Sequence, residues 1–417
     1  MLPPILEIYV VWHPGDQHGA GTAKAIFEHF MHGPTFSGVI GGGVQVSFRS
    51  AAWDGPGRPP RPIYSESNHA PNGIRPARFV AVVPLLGTEL AASVEDTNSA
   101  WHAYIASVRA TEEAAPEQFG VFPYLLSNGA ANGTELGGIL GKYQFVAAGQ
   151  PEQNGEDTRS MLCRDLTQGI AQLVSPDEMD RLTAFISHTK RHSYVEGEDV
   201  NALVGLVREV IGNTRLREYF DASDLQPGKD WDAALTQNAG TSAMLAIRTD
   251  LYSSRAWCQR EMAIAKTHGM PIIMMDAIGF GEERGSFLMD HVPRVAVRKL
   301  DGRWQKKDVY RALNLLVDEC LKRALWMHQR DLARERPELD VAWWAPHAPE
   351  PLTLSHWINA RIAQGIDAGG EGDLRILHPD PPLGPDEREV LINYAQTTRL
   401  GRGIDIMTPR QLATRGG

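Results

Sequence analysis

Leu251-Tyr-Ser-Ser-Arg-Ala-Trp-Cys-Gln-Arg-Glu261-Met262 follows directly on the apolar run Ala243–Thr249. A short apolar run bounded by turn residues is a buried strand. The polar turn after it ends at Ser254, a residue type that caps helices, and Gly269 supplies the usual stop. The passage therefore predicts strand, tight turn and a helix reaching His268, the repeating unit of a parallel α/β sheet. On that helix Trp257 and Glu261 stand four residues apart and share a face, with Cys258 at its border.

Working outward, the same alternation recurs. Arg181–Ser187, Arg217–Phe220, Ala243–Thr249, Ile272–Asp276 and a weaker Arg294–Lys299 read as strands, with helices near Val200–Ile211 and Lys307–Arg334. Upstream, strands are expected at Glu7–Trp12, Val44–Arg49, Arg78–Leu86 and Val121–Ser127, with helices around Gly19–Met31, Ser99–Ala110 and Thr158–Leu173. Downstream, Asp340–Trp344, Leu374–His378 and Ile404–Met407 alternate with helices at Ser355–Gln364 and Asp386–Ala395. The expectation is an α/β protein with flavodoxin-like parallel sheets of order 2-1-3-4-5. Its domains would be 1–175, 180–335 and a small α/β appendage at 338–417.

Composition narrows the class. The 417 residues are 42% hydrophobic and 22% charged, as in ordinary globular proteins. Lys and Arg number 41 against 51 Asp and Glu, a net charge of −10 with no block of like charge. Such a surface repels phosphate backbones, so nucleic acid is not an expected partner. Cys163, Cys258 and Cys320 lie far apart, which fits a reducing compartment better than a disulfide framework. Met1-Leu-Pro-Pro-Ile5 lacks the basic and apolar regions of a signal peptide. No apolar stretch approaches the roughly 20 residues of a membrane helix, so a cytoplasmic protein without a membrane partner is expected.

In a sheet of order 2-1-3-4-5, ligands bind beyond the carboxyl ends of strands 1 and 3, where the order reverses. Three motifs fall at such places. They are Ala184-Phe-Ile-Ser-His188, Tyr219-Phe-Asp-Ala-Ser-Asp-Leu-Gln-Pro-Gly228-Lys-Asp-Trp231, and the Ser254–Glu261 stretch. Together, over roughly residues 180–325, they resemble a Toll/interleukin-1 receptor (TIR) domain of the bacterial and plant kind that cleaves NAD.

The resemblance implies an NAD glycohydrolase, an NAD+ nucleosidase giving nicotinamide plus ADP-ribose or a cyclic ADP-ribose product. Glu261 takes the catalytic position. Nicotinamide departs neutral and needs no general acid, so one ionised carboxylate beside the ribose suffices to stabilise the oxocarbenium-like charge. The substrate-binding candidates are Phe185, Ser187 and His188, then Asp221 and Trp231, then Trp257 and Cys258. Strand-end packing for the aromatic residues and turn capping for Ser and Asp stand as their structural alternatives. NAD would be substrate, with no resident cofactor.

Self-association through the Asp224–Trp231 loop would complete the pocket. The 338–417 segment would sense a trigger protein or ligand, in bacterial immunity against phage. A non-catalytic scaffold acting through protein contacts remains open, as does an enzyme acting on nucleosides.

Other signals are thinner. The first part repeats the element order of the second. Val11-Trp12-His13 lies where Ile186-Ser187-His188 lies, and Ile105 where Glu261 lies. The first part then resembles a TIR fold without its carboxylate, though any flavodoxin-like domain gives the same succession. His188 and His192 share a helical spacing but want a third metal ligand, so no metal is expected. Gly137-Gly-Ile-Leu-Gly-Lys142 misses the spacing of a phosphate loop.

Overall fold

The computed structural model describes residues 5–33, 35–36, 44–52, 58–65, 76–146, 157–175, 183–189, 197–214, 216–219, 242–282, 284–334, 339–365 and 372–415. Two compact units divide the chain: Met1–Asp177 with Met327–Gln329, and Glu178–Trp326 with Arg330–Gly417.

In the first unit, β1 (Leu6–Val11) lies between β2 (Val44–Arg49) and β3 (Phe79–Leu86), parallel to both. All eight residues of β3 are buried, as its central place requires. Its other neighbours are β4 (Phe119–Val121) and β5 (Tyr124–Leu125), also parallel. The single strand expected over Val121–Ser127 is thus two short pieces on either side of Pro123. A proline has no N–H to give the ladder, and its fixed φ interrupts a regular strand. Helices follow where capping residues stand. Ser99 Oγ accepts from His102 N at the start of Ala100–Ala114, and the Asp157 carboxylate caps Thr158–Val174.

The second unit holds a five-stranded parallel sheet: β6 (Thr183–Ser187), β7 (Arg217–Tyr219), β8 (Ser242–Arg248), β9 (Ile272–Asp276) and β10 (Arg294–Ala296). Their spatial order is β7-β6-β8-β9-β10. Alternation along the strands sorts the side chains into two cores. Ala184, Ile186, Leu245, Ile247 and Ile273 pack with apolar residues of the helices Gly197–Gly212 and Lys306–Arg334. Phe185, Met244, Ala246 and Met274 pack with Cys258, Met262 and Ala265 of the helix Ala256–Thr267. Burial on both faces explains the near-continuous apolar strands.

The expected strand Arg294–Lys299 ends at Ala296. Beyond it, β11 (Lys299–Leu300) and β12 (Arg303–Trp304) form a separate antiparallel pair.

A third parallel sheet in the same unit orders β13 (Val341–Trp344), β14 (Leu374–Leu377) and β15 (Ile404–Met407) side by side. The helices Pro351–Gln364 and Pro385–Gln396 both open with proline. That residue suits the first helical turn, where its missing N–H has no partner to lose. Glu350 and Thr353 close a reciprocal capping box at the first of them. No helix among the described residues is long and apolar enough to cross a membrane, and the three cysteines are buried and form no disulfide among the described residues.

Candidate functional site

The strand order of the second sheet reverses at β6, which has β7 on one side and β8 on the other. Just past the carboxyl ends of β6 and β8 a set of buried polar side chains gathers: Ser187, Thr189, Thr249, Ser253 and Glu261. Ser187 points to the same face as Phe185, two residues back, and therefore toward the helix Ala256–Thr267. The buried stripe of that helix comprises Cys258, Glu261, Met262, Ala265 and Lys266. Helical periodicity places a carboxylate within it, opposite the strand-end hydroxyl.

The Ser187 hydroxyl donates to Glu261 Oε2 at 2.5 Å and lies 2.6 Å from the Tyr252 hydroxyl. With the serine proton on the carboxylate side, Tyr252 donates to Ser187, and the three groups form one relay. Burial, together with the neighbouring Cys258 and the Glu261 carboxylate, pushes the Tyr252 phenol well above its ordinary range. It stays protonated and serves as donor. Glu261 is 2% exposed. In so enclosed a place a charge-assisted hydrogen bond is stronger than in water, and an unmade one costs correspondingly more.

Around this relay, Cys258 Sγ faces the His188 carbonyl at 3.8 Å, and His188 Nδ1 donates to the Thr189 carbonyl at 3.0 Å. Thr189 and Thr249 place their hydroxyls 3.5 Å apart. The rim beyond is pinned by two carboxylates. Asp250 accepts from the backbone N–H groups of Gly279, Phe280 and Gly281 at 2.9, 2.9 and 3.2 Å. Glu282 pairs with Arg248 through both carboxylate oxygens and accepts from Ser253 Oγ. The Arg248 and Ser253 partners hold the Glu282 carboxyl below its usual value against the opposing effect of burial.

The structure thus brings Ser187, Glu261 and Cys258 together. Phe185 lies beneath them in the apolar core and His188 is half-buried at the edge. Trp257 is 38% exposed at the outer side of the helix, while Glu261 is enclosed, so the shared helix face is divided between solvent and core. Asp221, Trp231 and His192 lie outside the described residues. No group of three metal-ligating side chains occurs among the described residues.

Ser254 does not cap the helix. It belongs to a 3-10 turn, Tyr252–Ser254, its hydroxyl donates to the Leu251 carbonyl, and Arg255 takes the N-cap place. Tyr252, Arg248, Asp250 and Glu282 were not singled out by the motifs. Only Tyr252 carried a signal, as an aromatic residue with a polar tip directly after a buried strand.

No family model matches the chain, and no curated protein matches it. Among solved structures it is similar to a candidate phosphosugar isomerase from Salmonella typhimurium LT2, at 10% identity and a TM-score of 0.22, over 61% of this chain and 84% of that one. It is also similar to tagatose-6-phosphate ketose/aldose isomerase from Escherichia coli, at 10% identity and a TM-score of 0.19, over 79% and 84% of the two chains. A third is a candidate phosphosugar isomerase from Silicibacter pomeroyi DSS-3, at 12% identity and a TM-score of 0.18, over 80% and 87%. Likeness at these scores carries no activity over to this chain.

These findings overturn the TIR assignment for both halves of the chain. With it fall the NAD glycohydrolase activity, the NAD+ nucleosidase class and the role in antiphage immunity. The physical reason lies in the motifs themselves. A hydroxyl at a strand end, a Pro-Gly turn and an acidic residue one turn into a helix are local solutions open to any parallel α/β sheet. Fold-level features do not specify chemistry. The α/β class with parallel sheets stands.

Proposed function

We propose that the second unit binds a small metabolite bearing hydroxyl or ammonium groups at the carboxyl edge of β6 and β8. Glu261 is the anchoring carboxylate, and acid–base chemistry on the bound molecule is the reaction class the site supports. The observation that carries this is the relay Tyr252–Ser187–Glu261, closed within hydrogen-bond distance at the point where the strand order reverses.

A buried carboxylate on the helix that packs against this apolar core is complementary to a proton donor or a cation. The hydroxyl relay fixes the orientation of one carboxylate oxygen. A base must be placed before its basicity matters, and two hydroxyls on one side of Glu261 supply that placement. Ser187, Cys258 and His188 would line the ligand's approach, with Phe185 as floor and Trp257 as a contact at the rim.

The test is a thermal-shift screen of the full chain against sugars, sugar phosphates, amino acids and polyamines, repeated with Glu261→Gln. The variant keeps shape and hydrogen-bonding capacity while removing the negative charge. Support is a ligand that raises the Tm of the wild type and loses that effect in the variant. If the variant melts higher than wild type and responds to the same compounds, Glu261 serves packing alone.

A further inference from the structure

A second polar cluster stands beyond the carboxyl edge of the third sheet, apart from the residues of the Glu261 site. Trp344, Leu377 and Met407 are neighbours across the strand ends, and the chain continues from the last two into His378 and Thr408. His378, Asp380 and Thr408 are buried, at 1%, 6% and 0% exposure. Beneath them Trp326 packs with Leu377 and Met407, its ring centroid 5.2 Å from that of Trp344.

Two atoms in this cluster have no hydrogen-bond partner among the described residues: Asp380 Oδ1, an acceptor, and Trp326 Nε1, a donor. Buried polar groups are almost always paired, so two orphans of opposite kind at one sheet edge call for a third party. His378 adds a further acceptor. Its Nδ1 lies 2.8 Å from the Pro379 carbonyl and must carry the ring proton there, which leaves Nε2 with a lone pair. Burial holds that ring neutral, with its pKa down at about 4, and raises the Asp380 carboxyl against the Thr408 hydrogen bond.

We infer that this edge is a binding site for a vicinal diol, a ribose or a free sugar, with the diol hydroxyls donating to Asp380 and His378 and a diol oxygen accepting from Trp326. The chemistry follows from the partners available. Each diol hydroxyl donates once and accepts as well, which matches two acceptors and a donor gathered at one sheet edge. In parallel α/β sheets, ligands lie outside the carboxyl ends of strands, and a carboxylate there commonly takes ribose hydroxyls. Two tilted indoles floor the site with the apolar surface that sugar and nucleoside faces prefer.

The experiment is titration calorimetry of the full chain with adenosine, 2′-deoxyadenosine and D-ribose, on wild type, Asp380→Asn, Trp326→Phe and Glu261→Gln. Expected are saturable binding of adenosine, D-ribose or both, and at least ten-fold weaker binding of 2′-deoxyadenosine. Asp380→Asn and Trp326→Phe should each weaken binding at least ten-fold, while Glu261→Gln leaves it unchanged. Binding of adenosine without D-ribose identifies a nucleoside site, and of D-ribose without adenosine a free-sugar site.

Trp326→Phe removes the N–H together with part of the buried ring, so its Tm is measured beside its binding; a variant that stays folded and binds ten-fold more weakly supports the site even if the Asp380 variant does not fold. Absence of binding by every diol overturns the inference. So does equal affinity for the deoxy compound, or binding that disappears with Glu261→Gln and survives Trp326→Phe.

Discussion

Ser187 is a single hydroxyl shared between a carboxylate and a phenol, and its removal strands both. Ser187→Ala should cost about 1.5–3 kcal/mol, because a buried hydrogen bond to a charged group is lost and Tyr252 is left without its acceptor. Urea unfolding with an unchanged m-value is the measurement. Tyr252→Phe removes only the outer end of the relay and should cost less, on the order of 1 kcal/mol. A double-mutant cycle between the two positions should show coupling above the ~0.5 kcal/mol within which independent sites add. Additive losses would mean that the relay does not act as a unit.

At the scale of elements, Gly269 ends the Ala256–Thr267 helix with a positive φ of 62°, and a Cβ there would come within 2.5 Å of Pro346. Gly269→Ala should therefore destabilise the protein by about 1–3 kcal/mol through backbone strain and that close approach. Thermal melts of the variant test it, and an unchanged Tm would contradict the packing of Pro346 on this helix end.

This stop was legible in the sequence, as were the strands Ile272–Asp276, Val44–Arg49 and Ile404–Met407. The first is a short apolar run and the other two alternate apolar with polar residues, patterns that leave little freedom in assignment. The helix start was not legible, because Ser254 and Arg255 are both acceptable before a helix and only the 3-10 turn after Leu251 chooses between them. The division at Pro123 was written in the chain but outweighed by the apolar residues around it.

The candidate site was legible in part. Ser187 and Glu261 lie 74 residues apart, and topology alone brings them together at the order reversal. Tyr252 and the Arg248–Glu282 rim pair depend on loop conformation that no local pattern announces. The family assignment failed because motifs of this length describe a type of crevice and not its chemistry.

Across the whole molecule, two histidines link stability to pH. Burial, together with the positive charges of Arg323 and Lys322, lowers His347 from 6.5 to about 4. Burial and Lys322 lower His378 by a similar amount. Each binds its proton more weakly in the folded state than in the unfolded chain. The stability they contribute is present above pH 6.5 and is lost as pH falls toward 4. Tm should accordingly decline across that interval, and His347→Gln should flatten the decline. A slope untouched by the substitution would place the linkage in other groups.

The three parallel sheets set the functional expectation at this scale too, since each presents a carboxyl edge and two of those edges hold buried polar clusters. The most direct measurement of the central claim is titration calorimetry of the strongest Glu261-site ligand against wild type and Glu261→Gln. At least ten-fold weaker binding by a variant whose melting is preserved is the expected result. Equal affinity for the two proteins would contradict the assignment of Glu261 as the anchor.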